Sequence, residues 1–288
     1  MYITAHQLDT QQLKDLKKLQ TSCIKKDSNS SNLYTHILAQ PRTLPSALLY
    51  YKQERLLGFL SVFFFYENAV EISLMIAPKE RRKGLAKKLL GLILPLIQNY
   101  NFSTLIFSSP AGLNDRWLTR EAFTYTHTEY HMKRNRLSPL LHYEASPFIR
   151  LMQESDVLAL IHLDEVCFSK KQIEAQERFN YLLQDSSYQI FVLLQNNMPI
   201  AKAHLRWQPD GVTLSDIAVL PSLQGQGIGS SLIAHCINLA LIEGKPTIRL
   251  DVETKNERAL NLYTRLGFVK ANACDYWKIT LDELRSKL

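Results

Sequence analysis

The chain has 288 residues, 46% hydrophobic and 21% charged, which is the composition of a globular protein and excludes disorder and collagen-like structure. Its 34 basic against 27 acidic residues leave a net charge of +7, a mild excess that suits an anionic ligand but identifies none. The longest apolar runs fall far short of the ~18 residues that cross a bilayer, and MYITAHQLDT has neither the basic start nor the apolar core of a leader, so a cytoplasmic protein with no membrane partner is expected.

In chain order the first half (1–137) is expected to hold a strand, helices, three strands and then a loop, Arg81-x-x-Gly84-x-Ala86, that opens a helix. Pro95 inside that helix's apolar run should kink it or end it early. Another strand, a helix and a last strand complete the half. A linker is predicted at 138–147, within KRNRLSPLLHYEASPF, where charge and prolines interrupt the periodicity.

The second half (148–288) repeats the order. A short strand over 148–151 precedes a helix from Asp156, as N-cap, to about Cys167, with apolar residues at Leu160, Ile161, Leu163 and Cys167. Strands follow at 188–195, 199–207 and 212–220, joined by Asn196-Asn197 and Pro209-Asp210-Gly211 turns. Gln224-Gly225-Gln226-Gly227-Ile228-Gly229 then opens a helix striped by Leu232, Ile233, Cys236, Leu239 and Ala240. Ile248, Leu250 and Val252 alternate as a strand, and Ala259, Leu262, Tyr263 and Leu266 stripe the next helix.

Sliding the chain on itself by 143 residues sets Pro78 on Pro221 and Gly84 on Gly227, and by 145 sets Ala122-Phe123 on Gly267-Phe268. Two copies of one domain follow. The fold class expected is α/β of the α+β type: two domains, each a mixed, mostly antiparallel sheet flanked by helices. Cys23, Cys167, Cys236 and Cys274 lie far apart with no CxxC pair, and no histidines stand at metal spacing, so reduced thiols and no metal site are expected.

The glycine loop carries the first chemical signal. Unpaired amides at a helix start bind phosphate oxygens, and glycines let the ligand approach. The loop lacks the Lys-Ser/Thr ending of a Walker motif and fits a dinucleotide GxGxxG poorly, with Leu232 where a small residue would stand.

The ordered set Ile217-Ala218-Val219, Gln224-x-x-Gly227-x-Gly229, Leu250-Asp251-Val252 and Asn256-x-x-Ala259-x-x-Leu262-Tyr263-x-x-x-Gly267-Phe268 resembles the GNAT superfamily of acetyl-CoA-dependent N-acetyltransferases, here in a tandem form. The resemblance implies acetyl-CoA as cosubstrate and a primary amine as acceptor, either a small molecule or a protein N-terminus or lysine; nucleic acid is not an expected partner. It implies that Gln224, Gly225, Gln226, Gly227, Ile228, Gly229 and Ser230 hold the pyrophosphate, that Ile217, Ala218 and Val219 receive the pantetheine arm, and that Asn256 and Tyr263 contact the cofactor. Tyr263 would protonate the departing thiolate, and also reads as core on its apolar stripe; Asn256 also reads as an ordinary N-cap. The Leu-acid-Val strand resembles that of the branch acetylating protein N-termini, which implies Asp251 as the base that deprotonates the amine, with Asp216 on the preceding strand as its competitor and Glu253 a third. Acceptor choice would rest on 164–185 and 270–276.

With the 145 shift Tyr263 falls on Leu118 and Asn256 on Ala111, so the first half is expected to be degenerate. Its cations Lys79, Arg81, Arg82, Lys83, Lys87 and Lys88 could hold a coenzyme phosphate, a polyanion or nothing. A non-catalytic regulatory protein that binds CoA or a polyanion is the alternative to an enzyme.

Overall fold

The computed structural model describes residues 1–30, 33–42, 44, 47–66, 68–100, 102–141, 148–168, 179 and 182–287. The chain forms two compact units: Met1–Tyr130 with Glu253–Lys255 and Asn272–Leu288, and His131–Val252 with Asn256–Ala271.

In the first unit β1 (Tyr2–Ala5), β2 (Ala47–Lys52), β3 (Arg55–Phe63) and β4 (Ala69–Ile76) are antiparallel neighbours. β5 (Thr104–Pro110) runs parallel to β4 from Ala69↔Thr104 to Ser73↔Ser108, and there the ladder stops. Helix α1 (Thr10–Asp27) is started by a reciprocal cap, in which Gln12 N donates to Asp9 (2.8 Å) and Asp9 N to the Gln12 side chain (3.1 Å). Its buried Leu16, Leu19 and Cys23 join α2 (Thr35–Leu38) on one face of the sheet. On the other face lie α3 (Leu85–Gln98) and α4 (Asp115–Arg120).

The early end that Pro95 could have imposed does not occur. The helix continues to Gln98, because Ile93, Leu94 and Ile97 bury in the core and offset the lost backbone bond.

In the second unit β7 (Ile149–Leu151), β8 (Tyr188–Gln195), β9 (Met198–Gln208) and β10 (Gly211–Val219) are antiparallel neighbours, and β11 (Ile248–Glu253) runs parallel to β10. Helix α5 (Val157–Phe168) and Phe179 cover one face. Helix α6 (Ile228–Ile242) buries Leu232, Ile233, Cys236, Ile237 and Ala240, and α7 (Glu257–Arg265) follows β11. Each unit is therefore a mixed, mostly antiparallel sheet with flanking helices, as the sequence predicts.

The units do not coincide with contiguous stretches of chain. β12 (Val269–Thr280) pairs antiparallel with β5 from Cys274↔Pro110 to Thr280↔Thr104, and α8 (Leu281–Lys287) buries Leu281 and Leu284 in the first unit's core. The last residues of β6 (Thr124–Arg134), from His131 on, belong to the second unit. Of the predicted linker, 142–147 lie outside the described residues.

Candidate active site

In the second unit the β10–β11 ladder holds only Val212↔Ile248 and Thr213↔Arg249. Beyond Thr213 the strands part, and β10 bulges between Ser215 and Ala218 with Asp216 at φ 47°. Ile217, Ala218 and Val219 thus turn a ladder edge toward the fork while Ala218 and Val219 stay paired to Lys202 and Ala201 on β9.

The glycine loop follows a Pro221–Leu223 turn. Gly225 and Gly227 sit at φ 86° and 84°, conformations that side-chain-bearing residues adopt at a cost. Gly227 caps α6 with no side-chain bond, so the amides of Ile228, Gly229 and Ser230 emerge uncapped. A Cβ on Gly227 would meet nothing within 4 Å, which leaves the space a pyrophosphate needs. Gln224 donates to Val219 O (3.0 Å) and accepts from Arg258 of α7 (3.2 Å), so it ties the end of β10 to the loop and brings a cation beside it.

Asn256 N-caps α7 by accepting from Ala259 N (3.1 Å). Tyr263 is 8% exposed, its ring edge-on to Phe268, and burial pushes its phenol up to about 12. Asp251 on β11 accepts from His131 Nδ1 at 2.6 Å. Asp216 Oδ2 lies 3.6 Å from His204 Nδ1, and behind His204 stands Lys202, whose Nζ is 3.2 Å from His204 Nε2 and 2.7 Å from the Asp164 carboxylate. Lys202, His204 and Asp164 are buried. Glu253, the third candidate base, groups with the first unit, near His127 and Glu129; these three could hold a metal ion, although no such group was expected. Of the segment 164–185, residues 169–178, 180 and 181 lie outside the described residues.

The first unit repeats the cradle. Arg82 and Gly84 take φ 61° and 80°, where the second copy has Gly225 and Gly227. Arg81 donates to Ile76 O (3.1 Å) as Gln224 does to Val219 O, and the thiols of Cys23 and Cys167 point at those same two carbonyls, at 3.5 and 3.3 Å. A cavity of about 1080 Å³ opens there, lined by Arg81, Arg82, Gly84, Ala86, Lys87 and Trp117 among others. Leu118, in Tyr263's place, is fully buried core. The expected loss of the helix-start asparagine is corrected in position only: Asn114 stands just before α4, which is shorter than α7, so the gap falls inside the helix rather than before it, but its side chain donates to Ser109 Oγ (2.9 Å) and makes no cap bond of the kind Asn256 makes. Much of the expected basic cluster is neutralised, with Arg81 paired to Asp27 (2.6 Å), Lys83 to Glu80 (3.2 Å) and Lys87 to Glu121 (2.9 Å).

The acetyltransferase (GNAT) family model matches residues 12–114 and 156–268. The chain belongs to the GNAT acetyltransferase family. It is 32% identical over 123 residues to the "[Ribosomal protein bS18]-alanine N-acetyltransferase" of Escherichia coli K12, a match spanning 43% of this chain and 81% of that protein. Its fold superposes on a GCN5-related N-acetyltransferase from Sphaerobacter thermophilus with a TM-score of 0.78 at 14% identity, covering 97% and 96% of the two chains. A tandem GNAT protein from the clavulanic acid biosynthesis pathway gives 0.72 at 12% identity over 98% of each. The protein is an acyl-CoA-dependent N-acetyltransferase of tandem architecture, with acetyl-CoA as cosubstrate. Among the described residues no helix is long and apolar enough to cross a membrane.

Proposed function

We propose that the second unit transfers the acetyl group to a primary amine and that the first unit binds acetyl-CoA without turnover. The observation that carries this reading is a difference between two copies of one cradle: both keep the left-handed loop at the helix start, but only the second sets a carboxylate, Asp216, at the strand fork and a tyrosine, Tyr263, on the following helix.

Acetyl-CoA supplies an activated thioester. The chain's own groups supply the rest. Amides of Ile228, Gly229 and Ser230 hold the pyrophosphate, with Gln224, Gly225, Gln226 and Gly227 shaping the approach and Arg258 adding charge. The parted edge of Ile217–Val219 receives the extended arm as an added strand would be received, and an amide of Ala218 or Val219 stabilises charge developing on the thioester oxygen. Tyr263, held protonated by its burial, donates a hydrogen bond to the departing sulfur. Asp216 takes the amine's proton; we place it ahead of Asp251 because it stands on the bulge at the fork and is backed by a buried polar run, whereas Asp251 is the more exposed of the two. Asn256 acts through its cap, which aims α7 at the loop.

Pairing of Arg81, Lys83 and Lys87 with carboxylates argues against a polyanion surface in the first unit. The test is thiol release from acetyl-CoA by the full chain with spermidine, a peptide with an alanine N-terminus, and Nα-acetyl-lysine amide. Tyr263→Phe, which keeps the ring, should lower turnover by about 10²-fold with little effect on stability. Equal activity would return Tyr263 to the core, and a larger loss in Asp251→Asn than in Asp216→Asn would exchange the two carboxylates.

A further inference from the structure

The strand carrying Lys202 and His204 reads Ile200-Ala201-Lys202-Ala203-His204-Leu205, so the two polar residues share one face of a strand that is otherwise apolar. That face packs under α5 and Phe179. In the first copy the positions 143 residues earlier are Phe59 and Ser61, both fully buried, and Ser73 stands where the second copy has Asp216. The fold therefore accepts uncharged residues at all three places. Burying an ammonium and a carboxylate costs desolvation that an apolar pair avoids, so packing gives no reason for Lys202 and Asp164.

Geometry gives one. An ammonium only donates, so the contact at 3.2 Å requires a lone pair on His204 Nε2. Asp164, 2.7 Å from Lys202 Nζ, fixes the ammonium, and the Phe179 ring lies over it at 4.9 Å. With Nε2 accepting, the ring proton sits on Nδ1, the atom facing Asp216 Oδ2 at 3.6 Å. Asp216 itself is held at φ 47°, a conformation that costs a side-chain-bearing residue energy, on the bulge beside the fork.

We propose that Asp164 and Lys202 lock His204 as the neutral Nδ1–H tautomer, and that His204 is a positioning residue that orients the Asp216 carboxylate toward the acceptor amine. The inference rests on the second unit's being the catalytic one. Among the described residues, Lys202 on its own strand and Asp216 of β10 face His204, and Asp164 and Cys167 of α5 lie near Lys202. A proton on Nε2 would point at the Lys202 ammonium, so the ring that fits this contact is the neutral one. The proton taken from the amine ends on Asp216, and His204 keeps its own.

Two measurements on the full chain decide this. Imidazole ¹⁵N spectra of the wild-type protein should show His204 as the Nδ1–H tautomer from pH 6 to 9, assigned by its loss in His204→Leu; the Nε2–H tautomer, or an imidazolium at pH 7, overturns the lock. Turnover with the amine panel should then separate two variants of equal size. His204→Asn puts an amide donor where Nδ1–H was and should retain kcat within about threefold, while His204→Leu should lose about tenfold or more in kcat with KM within twofold. Equal losses would make His204 structural and overturn the proposal. Should none of the three amines be acetylated by wild-type protein, the reading of the second unit fails instead, and the ¹⁵N spectra still decide the lock.

Discussion

The three glycines of the loop make a graded experiment. At Gly227 a methyl group would meet nothing within 4 Å, so Gly227→Ala costs only the left-handed conformation at φ 84°, about 1–2 kcal/mol. For a unit of this size that lowers Tm by about 2–4 °C per kcal/mol. The open space is, however, the space a phosphate must enter. Displacing it by a methyl group breaks at least one charge-assisted amide bond of about 1.5–3 kcal/mol, a loss of roughly 10- to 100-fold in affinity. Gly229 is the opposite case. Its φ is not left-handed, and its added Cβ would rest on Val219 Cγ2 at 3.5 Å and Leu262 Cδ2 at 3.9 Å, which are ordinary contacts. Within a helix Ala replaces Gly with a gain of about 0.5–1 kcal/mol, so Gly229→Ala should raise Tm slightly and leave affinity unchanged. Ala86 already occupies this place in the first copy. Gly225 lies between: φ 86°, with Arg258 Nη2 at 2.9 Å from the new carbon, but that atom is the far end of a flexible side chain. Calorimetric titration with acetyl-CoA and a thermal melt of each variant read both quantities. If Gly227→Ala binds as wild type, or Gly229→Ala loses more than Gly227→Ala, the loop is not the pyrophosphate site.

The first unit's cradle should make the wild-type chain bind two equivalents of acetyl-CoA; Gly84→Val should remove one of them in the same titration and leave kcat intact, and a loss of turnover would mean that the first unit is catalytic. Because burial holds the Tyr263 phenol at about 12, its ionisation should cause no loss of rate between pH 8 and about 10; a falling alkaline limb in that range that vanishes in Tyr263→Phe would refute a protonated donor.

The local geometry of the candidate loop was legible in the sequence. Gln224, Gly225, Gly227 and the helix behind them form a local pattern whose physics, uncapped amides and left-handed glycines, needs no knowledge of distant residues. The chemistry was less so. Asp216 and Asp251 could be named as carboxylates on strands, but their histidine partners come from elsewhere, His204 from the neighbouring strand and His131 from the end of β6. Lys202 and His204 did leave a trace, two polar residues two apart in an apolar strand, and that spacing places both on one buried face. His131 left none, since only strand order brings it to Asp251. The destination of β12 was equally hidden: its seven pairs with β5 form across most of the chain's length, and no local periodicity encodes them. The asparagine was misplaced for a simpler reason. A sliding comparison fixes one offset per segment, whereas α4 ends before α7 does, and the offset changes within the helix.

Two left-handed residues in the first copy bear on what that unit does. Arg82 (φ 61°) stands where the second copy has Gly225, and Ala122 (φ 66°) where it has Gly267. Each costs about 1–2 kcal/mol that a glycine would avoid, and such strain persists only where the surroundings over-determine the backbone. At Ala122 the reason is visible, because the helix must end there for Phe123 to reach the core. At Arg82 the core supplies none: the residue is exposed, and a Cβ on the adjoining Gly84 would touch nothing within 4 Å. What holds Arg82 is the anchoring of Arg81 on either side of its guanidinium, to Asp27 and to the carbonyl of Ile76. The same anchoring sets the loop in the shape that leaves the amides of α3 uncapped beside a large cavity. A unit that served only as packing would gain by relaxing this turn; one that still cradles a phosphate would not.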